Sequence, residues 1–232
     1  MSTEDVVDPS TIQKKAFFYG TLMHPRTLKQ ILQNNGEHLR FCPAVLIGYA
    51  RHKVKGQTYP GIITLSQSES ILGMKHHSLQ ESVVRGTLVE GLTEADLKRL
   101  DDFEDTEYAR ETLTIHPLAP FEPLSTHAEQ DDEIIRMHAT PLSTEAGLTF
   151  GVQVDTYVYR MLERLDPGLW MFDDFVQNHA AQWFNYVPMI ARLRSRQWYE
   201  NVMATGNMIT SMEYTDRPGQ INESMDDVTT NR

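Results

Sequence analysis

The apolar residues of this chain fall into short blocks through its first two thirds and then change rhythm. Ala16 to Tyr19 (AFFY) is an apolar and aromatic run that stops at Gly20, as a short buried strand does. After the loop Gly20-Thr21-Leu22-Met23-His24, Pro25 suits the first turn of a helix. Leu28, Ile31 and Leu32 then recur at i, i+3 and i+4 until Asn34, Asn35 and Gly36 end the pattern. The first unit is therefore strand, tight loop, helix, with the helix over 25–34.

From Leu39 to Ile63 shorter apolar stretches are broken by Pro43, Gly48, Gly56, Pro60 and Gly61, which predicts twisted or bulged strands. Val83 to Leu92 predicts another strand. Thr93-Glu94-Ala95-Asp96 has the form of a capping box with Asp at its last position, opening a helix over 94–103 through Leu97, Leu100 and Phe103. Thr112 to Ile115 and Val152 to Arg160 return to strand periodicity. Between them, 117–150 reads as an inserted loop, of a length that implies either a lid or disorder. Phe172, Phe175, Val176, His179 and Trp183 form one helical stripe, with a kink or restart due at Pro188. The polar ends, 1–14 and 214–232, read as disordered tails around a single domain over 15–213. Strands plus helices in this order predict an α+β fold.

Composition narrows the function. The chain has 232 residues, 40% of them hydrophobic and 23% charged, enough for a core without covalent staples. Its single cysteine, Cys42, excludes an internal disulfide and a multi-cysteine zinc site, and its apolar neighbours make it a core residue. The net charge of -11 argues against nucleic acid, whose backbone requires clustered Lys and Arg. Six acids against Arg136 alone make 117–150 a local centre of that charge. With an acidic start in place of a signal peptide and no stretch approaching 18 apolar residues, the expectation is a soluble cytoplasmic protein with no membrane partner. Nucleophile-elbow, phosphate-loop and dinucleotide-binding motifs are absent, and the nine histidines lack metal-ligand spacing. Asp101, Asp102, Glu104, Asp105 and Glu107 lack the spacing of a calcium loop and read as a solvated helix end.

Two segments carry a resemblance: FFYGTLMHP at 17–25 and LKRLDDFEDTEYARETLTI at 97–115. Together they resemble the γ-glutamylcyclotransferase-like superfamily, nearest to its plant avirulence-induced-gene type. Tyr59-Pro60-Gly61-Ile62-Ile63, Thr156-Tyr157-Val158-Tyr159 and the aromatic stretch from Trp170 to Phe184 add to the likeness. It implies that the α+β fold is a mixed, strongly bent β-sheet or small β-barrel flanked by α-helices. It also implies a lyase that closes the γ-glutamyl group of an amine, peptide or glutathione-derived conjugate to 5-oxoproline, with no cofactor and no metal.

By this resemblance Glu104 is the general acid/base, where partial burial beside Phe103 would raise its pKa toward the working pH. Tyr19, Gly20, Thr21 and Leu22 form the substrate-binding loop, Tyr157 orients the glutamyl head, and Tyr108 and Arg110 are supporting candidates. The family pattern has Gly after the catalytic Glu; here it is Asp105, so either the backbone differs or a second carboxylate lies near the site. Two alternatives stand beside the lyase: a non-catalytic γ-glutamyl-binding or protein-interaction module, and a related acyl-transfer or amide-cleaving enzyme. The partner implied is a small-molecule γ-glutamyl substrate, while oligomeric state and leaving amine are left open. The acidic insertion is a candidate selector of that amine.

Overall fold

A computed structural model describes residues 14–75, 81–124 and 150–185. In chain order these form β1 (Lys14–Phe18), α1 (Pro25–Leu32), β2 (Arg40–Ile47), β3 (Tyr49–Val54), β4 (Pro60–Thr64) and α2 (Leu65–Leu72). There follow β5 (Val83–Leu92), α3 (Glu94–Glu104), β6 (Tyr108–Pro117), β7 (Glu122–Pro123), β8 (Val152–Tyr159), β9 (Leu165–Leu169) and α4 (Phe172–Asn178). Residues 1–13 of the first predicted tail, the whole of the second, the part of the insertion over 125–149, and Pro188 lie outside the described residues, whereas Lys14, assigned to the tail from sequence, already pairs with Leu92 as the first residue of β1.

The main sheet runs β5-β1-β8-β6-β2-β7, and β2 also pairs with β5, so five strands close into a barrel with β7 added at its rim. Only β1 and β8 pair in parallel; the other barrel pairs are antiparallel. Alternation along each strand explains the closure. Phe17, Cys42, Leu46, Val84, Leu88, Ile115 and Val154 form one buried cluster inside the barrel. The residues between them, including Phe18, Phe41, Val89, Tyr157 and Tyr159, belong to a second cluster shared with the helices. At Gly86 a Cβ would lie 2.3 Å from the Phe18 carbonyl oxygen and 2.5 Å from the Phe17 ring, so β1 and β5 meet there only because the side chain is absent. The second sheet, β4-β3-β9, lies across the barrel, and Ile62 of β4 joins the interior cluster.

The predicted capping box is present: Thr93 Oγ1 accepts from Asp96 N–H, and Asp96 Oδ2 accepts from Thr93 N–H at 3.0 Å. Two features depart from the sequence reading. Helix α2 was not anticipated, although Thr64 and Gln67 form a reciprocal capping box ahead of it and Gly73 closes it in the left-handed conformation. The C-terminal stripe is not one helix. It breaks at His179 (φ -128°, ψ -26°) and resumes over 180–185, which lets both Phe175 and Trp183 turn into the core. The beginning of the insertion stays on the barrel, with Leu118 N–H donating to the Pro43 carbonyl and Leu124 N–H to that of Leu39.

Candidate active site

Strand β1 delivers Tyr19 and Gly20 to the barrel rim, where Thr21–Met23 make a single 3-10 turn before α1. Carbonyls hold this loop. Met23 N–H donates to the Gly20 oxygen at 3.0 Å and His24 N–H to the Thr21 oxygen at 3.2 Å. Arg51 Nη1 donates to the Tyr19 oxygen at 2.6 Å and to the Arg85 oxygen at 3.2 Å, while the Arg51 guanidinium lies over the Trp170 ring. Burial pushes Arg51 down to about 10 against the opposing effect of Tyr19, which still leaves it cationic at neutral pH. Because C=O and N–H point opposite ways across a trans peptide, Arg51 also sets the direction of Gly20 N–H. The N–H groups of Thr21 and Leu22, first in a helical turn, have no acceptor inside that turn. A Cβ on Gly20 would sit 3.0 Å from two ring carbons of Pro60, so the loop and β4 approach closely enough to form one wall.

That wall borders a cleft of about 390 Å³, its open mouth included. Tyr19, Gly20, Thr21, Leu22, Glu104, Tyr108 and Tyr157, all singled out from sequence, line it together. Arg110 does not; it reaches the site through Asp101, with Nη1 3.5 Å from Oδ2. Glu104 is the last residue of α3, half-buried, and the one charged side chain among the described lining residues. Burial pushes the Tyr19 phenol well above its usual value, with Glu104 adding to the shift. Tyr157 is likewise pushed up, by burial first, then by Asp101 and Glu104. Both phenols therefore stay protonated next to a carboxylate.

Each tyrosine of the lining donates its proton to the protein. Tyr157 donates to Asp101 Oδ1 at 2.9 Å, Tyr108 to the Pro60 carbonyl at 2.8 Å, and Tyr19 to the Tyr157 carbonyl at 2.5 Å. Tyr59 donates to Glu107 Oε2 at 2.8 Å, and Glu107 is gripped by Arg164 at 2.6 Å. Trp183 completes the lining, its indole N–H fixed on Thr58 Oγ1 at 2.9 Å.

Asp105 resolves the question raised by the missing glycine. It sits at φ +55°, ψ -150°, a backbone region that glycine occupies freely, so the chain keeps the glycine-type turn with an Asp in it. Its Oδ1 accepts from Thr106 N–H at 2.7 Å, and it is not among the lining residues. Of the other residues that shape the site, Asp101 was read from sequence as part of a solvated helix end but is engaged by Tyr157 and Arg110, Tyr59 and Trp183 were named only within segments that carry the resemblance, and Arg51 was not singled out. Asp101 was readable as lying one turn before Glu104 on the same helix face. Arg51 carried no signal, because its role depends on β3 lying beneath the Tyr19 loop. Among the described residues no three His, Cys, Asp or Glu side chains converge as a metal site, and no helix is long and apolar enough to cross a membrane.

A family model described as γ-glutamyl cyclotransferase, AIG2-like, matches residues 16–171. The AIG2-like protein C of Arabidopsis thaliana is 32% identical over 99 residues, 43% of this chain and 48% of that protein; the chain thus spans about half of that relative. Protein AIG2 C of Arabidopsis thaliana is 26% identical over 169 residues, 72% of this chain and 74% of its own length. A solution structure of another Arabidopsis thaliana protein aligns over 91% of this chain and 99% of its own, with 21% identity and a TM-score of 0.44.

Proposed function

The chain belongs to the AIG2-like γ-glutamyl cyclotransferase family, and we propose that it is a γ-glutamylcyclotransferase-type lyase acting on a γ-glutamyl amine, peptide or glutathione-derived conjugate. One observation carries the reading: Glu104, half-buried and the one carboxylate among the described lining residues, shares an aromatic cleft with the loop Tyr19-Gly20-Thr21-Leu22. In the proposed reaction the α-amine of the γ-glutamyl group attacks its own side-chain carbonyl carbon, forming a five-membered ring. The bond from that carbon to the leaving nitrogen then breaks, releasing 5-oxoproline and a free amine.

Nucleophile and electrophile belong to one molecule, so the protein's first task is to hold the glutamyl chain folded, and this positioning supplies much of the acceleration. Glu104 takes the proton released by the attacking nitrogen and returns it to the departing one, so a single carboxyl ends the cycle as it began. Thr21 and Leu22, together with Gly20 N–H as oriented through Arg51, supply donors for the substrate carboxylate or the oxyanion.

The test is incubation of the full chain with a panel of γ-glutamyl amines, peptides and glutathione, with 5-oxoproline read by mass spectrometry. Turnover of at least one compound is expected. Glu104→Gln keeps volume and hydrogen bonding but cannot transfer protons, and should lower kcat by roughly 10²-fold or more with folding intact. Full activity in this variant refutes the assignment of Glu104, and no 5-oxoproline from any compound refutes the lyase.

A further inference from the structure

Asp101 lies on the same face of α3 as Glu104, one turn earlier, and touches the cleft only through Tyr157. The direction of that hydrogen bond has a chemical consequence. A carboxylate has no proton to give, so the 2.9 Å contact between Tyr157 Oη and Asp101 Oδ1 consumes the phenol's single hydrogen. To the cleft that it lines, the Tyr157 hydroxyl can then offer only lone pairs. The surroundings keep it so: Arg110 lies 3.5 Å from the other Asp101 oxygen and 4.0 Å from Asp155, which holds the carboxylate in place without competing for Oδ1.

The partners of the other three lining tyrosines use up their protons as well, and Glu104 is acceptor-only when ionised. Donors are left to the Tyr19–Leu22 loop, where the Thr21 and Leu22 N–H groups have no acceptor within their turn and the Thr21 hydroxyl also has a proton to give. The loop is thus the side of the cleft that can donate, while α3 and β8 supply oxygen acceptors. A γ-glutamyl head carries one group for each side, an α-carboxylate and an α-ammonium.

We propose that Asp101 is a positioning residue which, by taking the Tyr157 proton, turns that phenol into an acceptor for the substrate's α-ammonium, so that the ammonium is shared between Tyr157 and Glu104. This deepens the γ-glutamyl reading of the same site and rests on it. It makes the free α-amino group a recognition element as well as the nucleophile, and it assigns a function to a carboxylate outside the cleft.

The test compares L-glutamine with glutaramic acid, which differ only in the α-amino group, by calorimetric binding to the full chain. Asp101→Ala removes a half-exposed side chain from a helix surface, and α3 should remain intact. The expected result is roughly a tenfold fall in preference for L-glutamine, the scale of one hydrogen bond to a charged group, with glutaramic acid bound as before. Tyr157→Phe should produce the same fall, and the double variant no further fall, because the two side chains act as one unit.

Equal weakening of both compounds in Asp101→Ala, or an unchanged preference, overturns the proposal while leaving the γ-glutamyl reading intact. Failure of the unmodified chain to bind either compound overturns both.

Discussion

The backbone at Asp105, immediately after Glu104, can be tested without any substrate. At φ +55°, ψ -150° a residue with a Cβ carries about 1–3 kcal/mol of strain, whereas glycine carries almost none. Asp105→Gly and Asp105→Ala both delete the carboxylate, so its bond to Thr106 N–H and every other contact it makes cancel when the two are compared. What remains is backbone conformation. At an ordinary position Ala exceeds Gly by about 0.4–1 kcal/mol, because unfolded glycine has more conformational freedom. Here the strain outweighs that term, and Asp105→Gly should be the more stable of the two by roughly 1–2 kcal/mol. For a domain of this size that is a gap of about 2–8 °C in Tm. Urea and thermal unfolding followed by circular dichroism measure it. A Gly variant equal to or less stable than the Ala variant would refute the strained turn, and with it the view that Asp105 preserves the glycine-type geometry beside Glu104.

Other outcomes follow from the same contacts. Arg51→Ala leaves the Tyr19 and Arg85 carbonyls without their guanidinium donor, and should cost about 2–4 kcal/mol in urea unfolding; a loss under 0.5 kcal/mol would show that the loop needs no such anchor. Arg51→Lys, which keeps the charge on a single point donor, should recover part of both stability and kcat/KM. Burial pushes the Asp96 carboxyl up, but the Thr93 N–H and hydroxyl and His38 together hold it below the usual carboxylate range. A depressed folded pKa contributes stability above the unfolded value, near pH 4, that is lost as pH falls through the folded value. Asp96→Asn should therefore be less stable by about 1–2 kcal/mol at pH 7, with the difference shrinking toward pH 2; a gap independent of pH would contradict the linkage.

Local pattern was enough for much of this molecule. The run AFFY, the Pro25 start, the Thr93–Asp96 box and the alternation around Tyr157 each depend on neighbours within a few residues, and each element formed where its own sequence requires it. The motif residues Tyr19–Leu22, Glu104, Tyr108 and Tyr157 were legible as a group because their order and spacing match a family pattern. What was lost locally was lost for a physical reason. The stripe from Phe172 to Trp183 satisfies helical periodicity over its whole length, yet burying both Phe175 and Trp183 required a break at His179 that no periodicity contains.

Tertiary structure alone decided the rest. Barrel closure depends on β2 pairing with both β5 and β6, contacts between segments tens of residues apart, which alternation along one strand does not specify. Arg51 and Asp101 acquire their roles only when β3 is laid under the Tyr19 loop and the Tyr157 strand is brought beside α3. Spacing within a segment can place a carboxylate at the end of a helix. Which phenol gives that helix its proton, and therefore whether the cleft presents donors or acceptors, depends on the packing of segments 56 residues apart in the chain.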